Sequence, residues 1–280
     1  MAKGVSLHIG LNSVDPKHYE GWSGELLACE ADATDMAAIA ASTKFRQKIL
    51  LTKKATRRAV AAAIKDAAGS LKAQDIFFLT YSGHGGQLPD LNGDEPDGQD
   101  ETWCLYDGEL VDDEIYSYLG KFRAGVRILV LSDSCHSGSV LKLAYYGGGT
   151  GVTVAAPRAE SAAPRYRAMP PQVALRTYQA HRQMYDPILR SRKLANTMAA
   201  VKASAMLISG CQDNQLSSDG NFNGLFTGTL KRVWNGGKFK KSYPEFHRAI
   251  VNLMPPAQTP NYFKVGAANS KFEAQIPFTV

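Results

Sequence analysis

"QDIFFLTYSG", residues 74–83, is an unbroken apolar run of strand length. Successive strand residues point to opposite faces, so a run that is apolar throughout must be covered on both sides. That is the condition of a parallel sheet buried between helices. "VRILVLSDSC" (126–135) has the same character, and "GVSLHIGLN" (4–12), "KILLTKK" (48–54) and "SAMLISGCQ" (204–212) supply further strands. Helical patterns separate them. "ACEADATDMAAIAAS" (28–42) is alanine-rich with helical spacing, and "ATRRAVAAAIKDAAGSLK" (55–72) sets Val60, Ile64 and Ala67 on one stripe. "DDEIYSYLGKF" (112–122) opens on acids, which suits a helix N-terminus. "NGLFTGTLKRVWN" (223–235) and "SYPEFHRAIVNLM" (242–254) read as closing helices, the second with Ser242 as cap and Glu245 three residues on. The alternation predicts an α/β fold: a mostly parallel central sheet of about six strands, flanked by helices on both faces. Right-handed crossovers then bring the strand C-termini to one edge, where such sheets place their sites.

The 280 residues, 44% of them hydrophobic, suit a single domain over 1–280. No apolar run approaches the roughly 20 residues of a membrane helix, and the first residues read as a strand rather than a signal peptide. A cytoplasmic protein is expected, with no membrane partner. The four cysteines (Cys29, Cys104, Cys135 and Cys211) are far apart, which argues against a zinc ribbon or a redox pair and for free thiols. The formal charge of +6 is segregated: residues 82–120 carry eleven acids and no Lys or Arg, whereas 157–193 carry eight Lys/Arg and two acids. A separated acidic and basic segment is not a nucleic-acid-reading face, so no nucleic-acid partner is expected.

The rhythm breaks at 143–195. Gly, Pro and Ala dominate its first half, which argues for a flexible basic loop between a region 1–142 and a region 196–280. "QVALRTYQAHRQMYDPILRS" is compatible with a helix in the second half.

Two signals fall at strand ends: "YSGHGG" (81–86) and "DSCHSG" (133–138). A thiol needs a base to become a thiolate at neutral pH. His136, next to Cys135, points away from it at a strand end, so the base is expected to be His84, 51 residues earlier. Cys135 is then the nucleophile, His84 the general base and acid, and the Gly85 and Cys135 N–H groups the oxyanion hole. No Asp or Asn is placed as a third member, so a dyad is expected. A basic side chain in the pocket beside the nucleophile would need a buried carboxylate, and Asp133 lies two residues before Cys135 on the same side of its strand.

The paired "YSGHGG" and "DSCHSG" motifs, with "SGCQDNQ…NGLFT" further on, resemble the metacaspases, the caspase-like cysteine proteases, from the first strand to about Trp234. The resemblance implies the caspase–hemoglobinase fold and cleavage of protein or peptide substrates after Arg or Lys through an acyl-enzyme. It places Asp133 in the specificity pocket and adds Cys29 and Asp32 from "ACEADA", with Asp213 a weaker candidate. It also implies calcium: Asp112 and Asp113 match the family's pair, and Asp97 and Asp100 are further oxygen donors. Lys142 departs from the family's remaining calcium acid and would repel the ion, so calcium is an optional cofactor and a solvated acidic loop the alternative. Family members are often processed between the two regions. Arg158, Arg165, Arg167, Arg190, Arg192 and Lys193 are candidate cut positions, for this protein or an upstream protease. The resemblance implies a monomer. Alternatives are a catalytically silent scaffold and a caspase-fold protease of other specificity.

Overall fold

The structure is a computed structural model and describes residues 2–93, 98–134, 166–195, 197–210, 218–220 and 222–280. Six strands form the central sheet in the order β2 (Phe45–Leu51), β1 (Gly4–Gly10), β3 (Ile76–Ser82), β7 (Arg127–Asp133), β8 (Ser204–Ser209), β9 (Asn261–Gly266). All pairs are parallel except β8 with β9. The apolar run that reads as a doubly covered strand is β3, and its seven residues are all buried. Phe77, Leu79 and Tyr81 face a core shared with α2 (Arg57–Ser70) and α3 (Asp112–Leu119). Ile76 and Phe78 face the other core, with α1 (Cys29–Ser42), α6 (Leu225–Trp234) and α7 (Tyr243–Val251). The Ser242–Glu245 capping box at α7 is present as the sequence reads.

The register of β3 against β7 pairs Ser82 with Asp133. The two motif-bearing strand ends therefore lie side by side, at the carboxyl edge of the sheet.

Two features depart from the sequence reading. A small antiparallel sheet, β4 (Gly85–Pro89), β5 (Gln99–Leu105) and β6 (Gly108–Val111), follows the His84 turn. Its strands carry glycine, proline and acids, which read locally as an acidic loop; pairing across the hairpins overrides that preference. The edge strand β9, half exposed and antiparallel, also lay outside the repeating pattern.

In the second half of 143–195 the helical structure that the sequence allows is present. Residues 171–189 form α4 (Pro171–Ala180) and α5 (Arg182–Leu189). They pack on the small sheet, where Tyr185 and Leu189 join Leu88 and Val111 in a buried cluster. The Tyr185 hydroxyl accepts from the Glu109 amide at 2.9 Å and pairs with His18 Nε2 at 2.8 Å. The His18 and His181 rings stack at 4.0 Å. Residues 143–165 lie outside the described residues.

Candidate active site

His84 sits in the turn between β3 and β4, buried under the Trp22 ring at 4.7 Å between centroids. Its Nε2 lies 3.0 Å from the Gly24 carbonyl oxygen. A carbonyl only accepts, so Nε2 carries the proton and Nδ1 keeps a lone pair. Nδ1 is buried with no hydrogen-bond partner among the described residues. Burial pushes the His84 pKa down to about 4; the Gly24 and Ala168 backbones pull it up and the Arg167 guanidinium pushes it further down. Gly24 has φ +54°, and a Cβ there would lie 3.0 Å from the His84 ring. A backbone carbonyl thus orients the imidazole. Cys135, His136 and the Cys135 half of the oxyanion hole lie outside the described residues.

At the sheet edge next to His84 is an acidic pocket, and Arg167 of the same chain fills it. The Arg167 side chain is fully buried. Nη2 donates to Asp32 Oδ2 at 2.7 Å and to Asp219 Oδ1 at 3.0 Å. Nη1 donates to Ser82 Oγ at 2.8 Å and to the Asp133 carbonyl at 3.1 Å, with Asp133 Oδ2 3.0 Å away. Burial alone would lower the arginine pKa; Asp133 and Asp32 outweigh it and hold it well above the usual value. The Asp32 carboxyl is raised, by burial first and by Asp133, against the pull of Arg167.

Besides Ser82 at the end of β3 and Asp219 ahead of α6, three elements build this pocket. Asp133 ends β7, as expected. Asp32 lies in the first turn of α1, one turn after Cys29, whose buried thiol is pushed up to about 12 and is chemically inert. The first turn of α6 supplies donors to both acids: the Gly224 amide reaches Asp32 Oδ1 at 3.1 Å, and the Thr227 amide and hydroxyl reach Asp133 Oδ2 at 3.1 and 2.7 Å. Carboxylates at a helix N-terminus are stabilised by its aligned amides. A Cβ on Gly224 would meet Arg167 Nη2 at 2.5 Å, so only glycine leaves room for the guanidinium.

Main-chain pairing extends the picture. The Gly85 amide donates to the Arg167 carbonyl oxygen at 2.9 Å, and the Met169 amide donates to the Gly85 carbonyl at 2.8 Å. Tyr166, one residue before, bridges antiparallel to Ser218. Chain on both sides of the Arg167–Ala168 bond is thus pinned, to Gly85 at the start of β4 and to Ser218 ahead of α6.

Among the pocket residues, Asp133, Asp32 and Cys29 were legible and the structure brings them together. Asp213, and with it the region from Cys211, lies outside the described residues. Asp219, Ser82 and Gly224 were missed. Asp219 sits in "SSDGNFNG", a polar run with turn chemistry that gives no hint of a buried charge. Of the candidate cut positions, Arg167 is in the pocket. Arg190, Arg192 and Lys193 are exposed at or just beyond the end of α5, Arg190 facing Asp186 at 4.0 Å. Arg158 and Arg165 lie outside the described residues.

The acids expected to hold calcium lie at β5 and the start of α3. Burial, then Glu101, Asp100 and Asp113, raises the Asp112 carboxyl well above the carboxylate range. This oxygen-rich, mutually repelling set has the right donor chemistry for a hard cation. Among the described residues, however, no three His, Cys, Asp or Glu side chains are gathered as a ligand set. Asp97 lies outside them. Also among the described residues, no helix is long and apolar enough to cross a membrane.

The chain matches the caspase-domain family model over residues 14–277. It is 37% identical over 163 residues to metacaspase-1A of Aspergillus fumigatus, covering 51% of this chain and 37% of that protein. It is 30% identical over 256 residues to metacaspase-1 of Schizosaccharomyces pombe, covering 81% of this chain and 58% of that one. The chain thus spans between about a third and three fifths of the length of these relatives. A crystal structure of protein GSU0716 from Geobacter sulfurreducens is 59% identical, covers 99% of both chains and superposes with a TM-score of 0.87. Caspase-1 from Spodoptera frugiperda shares the fold at 8% identity, with a TM-score of 0.57 over 95% of this chain and 86% of that one.

Proposed function

Because the chain belongs to the caspase-domain family and seats its own Arg167 in an acidic pocket, we propose that it is a cysteine endopeptidase that cuts after arginine, and that Arg167–Ala168 is a bond it cuts in itself. The observation that carries the reading is the pairing of that guanidinium with Asp32, Asp133 and Asp219 while the adjoining carbonyl rests on the Gly85 amide.

The chemistry follows from the placement of the groups. His84 Nδ1 takes the Cys135 proton, and the thiolate sulfur bonds to the carbonyl carbon of the arginine. The carbonyl oxygen gains the negative charge and is held by the Gly85 amide, with the Cys135 amide as second donor. His84 then gives its proton to the departing amine nitrogen, the C–N bond breaks, and an acyl-enzyme is left. Water, deprotonated by His84, releases the acid and restores the thiol. The Gly24 carbonyl fixes the tautomer on which both transfers depend. A buried, uncharged His84 is in the state required of the base.

For calcium the support is the oxygen-donor chemistry of these acids alone. Asp112, Asp113 and Asp100, with Asp97, are the residues that would hold it, and no step of the cleavage runs through it.

The test is hydrolysis of fluorogenic Arg, Lys, Asp and Asn peptides by the wild type and by Cys135→Ala, with and without calcium. Arg hydrolysis confined to the wild type supports the reading. Equal activity in both proteins removes the thiol mechanism, and preference for Asp removes the pocket assignment.

A further inference from the structure

We propose that Asp219 is the residue that makes this pocket select arginine over lysine. The inference rests on the peptidase reading above and adds to it a residue that neither the motifs nor the family resemblance assigns.

The three acids around Arg167 are not equivalent. Asp32 keeps other partners without the guanidinium: Ser82 Oγ, Asn223 Nδ2 and the Gly224 amide. Asp133 keeps the Thr227 amide and hydroxyl. Asp219 is arranged differently. Its Oδ2 accepts from the Leu27 amide at 2.8 Å, which fixes the orientation of the carboxylate, and its Oδ1 accepts from Arg167 Nη2. The side chain is 1% exposed. An anchored, buried carboxylate cannot swing to meet a shorter group.

The geometry it serves is a fork. The pocket divides its acceptors between two nitrogens: Ser82 and Asp133 on Nη1, Asp32 and Asp219 on Nη2. A guanidinium presents two such nitrogens in one rigid plane; an ammonium presents one point charge on a shorter stem. A lysine therefore engages one branch and leaves the other without a cation. Asp219, on the Nη2 branch and pinned from behind, is the acid whose contribution requires the second nitrogen. A buried acceptor left unpaired penalises the wrong side chain, which is how polar pockets reach high discrimination.

The experiment reads the rate of cutting after residue 167 in the full chain, by intact mass, in four proteins: wild type, Arg167→Lys, Asp219→Asn and the double variant. Asn keeps the shape of Asp and can still accept from Leu27. The expected result is at least a tenfold slower cut in Arg167→Lys, a comparable loss in Asp219→Asn, and no further loss in the double variant beyond either single one. The same contrast is expected in kcat/KM for paired Arg and Lys peptides, whose ratio falls toward unity in Asp219→Asn. Losses that multiply in the double variant, or an Arg/Lys ratio unchanged by Asp219→Asn, overturn the proposal, since a merely structural role would weaken both substrates alike. If wild type cuts neither its own chain nor either peptide, the peptidase reading falls and this proposal falls with it.

Discussion

The Gly85 amide donates to the Arg167 carbonyl oxygen at 2.9 Å. Gly85 follows the buried His84, so the contact sets the carbonyl of a bound arginine beside the proposed base. The first prediction is a single early cut between Arg167 and Ala168 in purified protein, visible by intact mass, with Ala168 as the new N-terminus. Cys135→Ala and His84→Ala should remain whole. A cut elsewhere in the wild type, or the same cut in both variants, contradicts the docked-substrate reading.

The pocket acids should differ from ordinary surface carboxylates. Asp133→Asn or Asp32→Asn leaves the arginine guanidinium short of a buried counter-charge, at a cost of about 3–5 kcal/mol. That corresponds to a fall of about two to four decades in kcat/KM for Arg peptides. Steady-state kinetics on the processed enzyme measures it.

Gly224→Ala tests the shape of the pocket without touching its charge. The added methyl meets the guanidinium at 2.5 Å from Nη2, against backbone that cannot withdraw far. Arg hydrolysis should fall at least tenfold, mainly through KM. An unaltered KM would place the arginine elsewhere.

His84 should report the departure of Arg167. Burial, with help from the guanidinium, holds its pKa at about 4. Removing the arginine in Arg167→Gln takes away a positive neighbour and opens the ring to water, and both changes favour the imidazolium. The His84 pKa should therefore rise toward the ordinary 6.5. Imidazole NMR titration measures the rise. The acidic limb of kcat/KM on added peptides, where protonated His84 can no longer act as base, should sit at the higher value. A pKa that stays near 4 would show that the docked segment does not control it.

Tyr185→Phe should destabilise the chain by about 1–3 kcal/mol, because the buried Glu109 amide loses its acceptor. Chemical denaturation measures the loss. No change would mean that α4 and α5 add little to the fold.

Much of this molecule is written in local patterns. β3 and β7 announce themselves because both faces of each strand are apolar, and their parallel register makes neighbours of the His84 turn and Asp133. Asp32 is legible through the resemblance. The rest depends on partners distant in sequence. Asp219 looks like a turn residue until the Leu27 amide and the Arg167 guanidinium surround it. The Gly24 carbonyl, which orients the imidazole, belongs to the backbone, and no residue letter encodes it. The small sheet was hidden because β4 and β5 are poor strands singly; cross-strand pairing makes them.

The anchoring of α4 and α5 has a kinetic meaning. Met169 is buried against Val14 and Tyr19, and Tyr185 is locked onto the small sheet. A ligand tethered this closely competes at an effective concentration that free peptides in solution do not reach. On the proposed reading, the abundance of outside substrate therefore does not decide when the enzyme begins to work. The fate of one internal bond decides it, once per molecule, and the chain from Ala168 onward stays seated afterwards as a retained product.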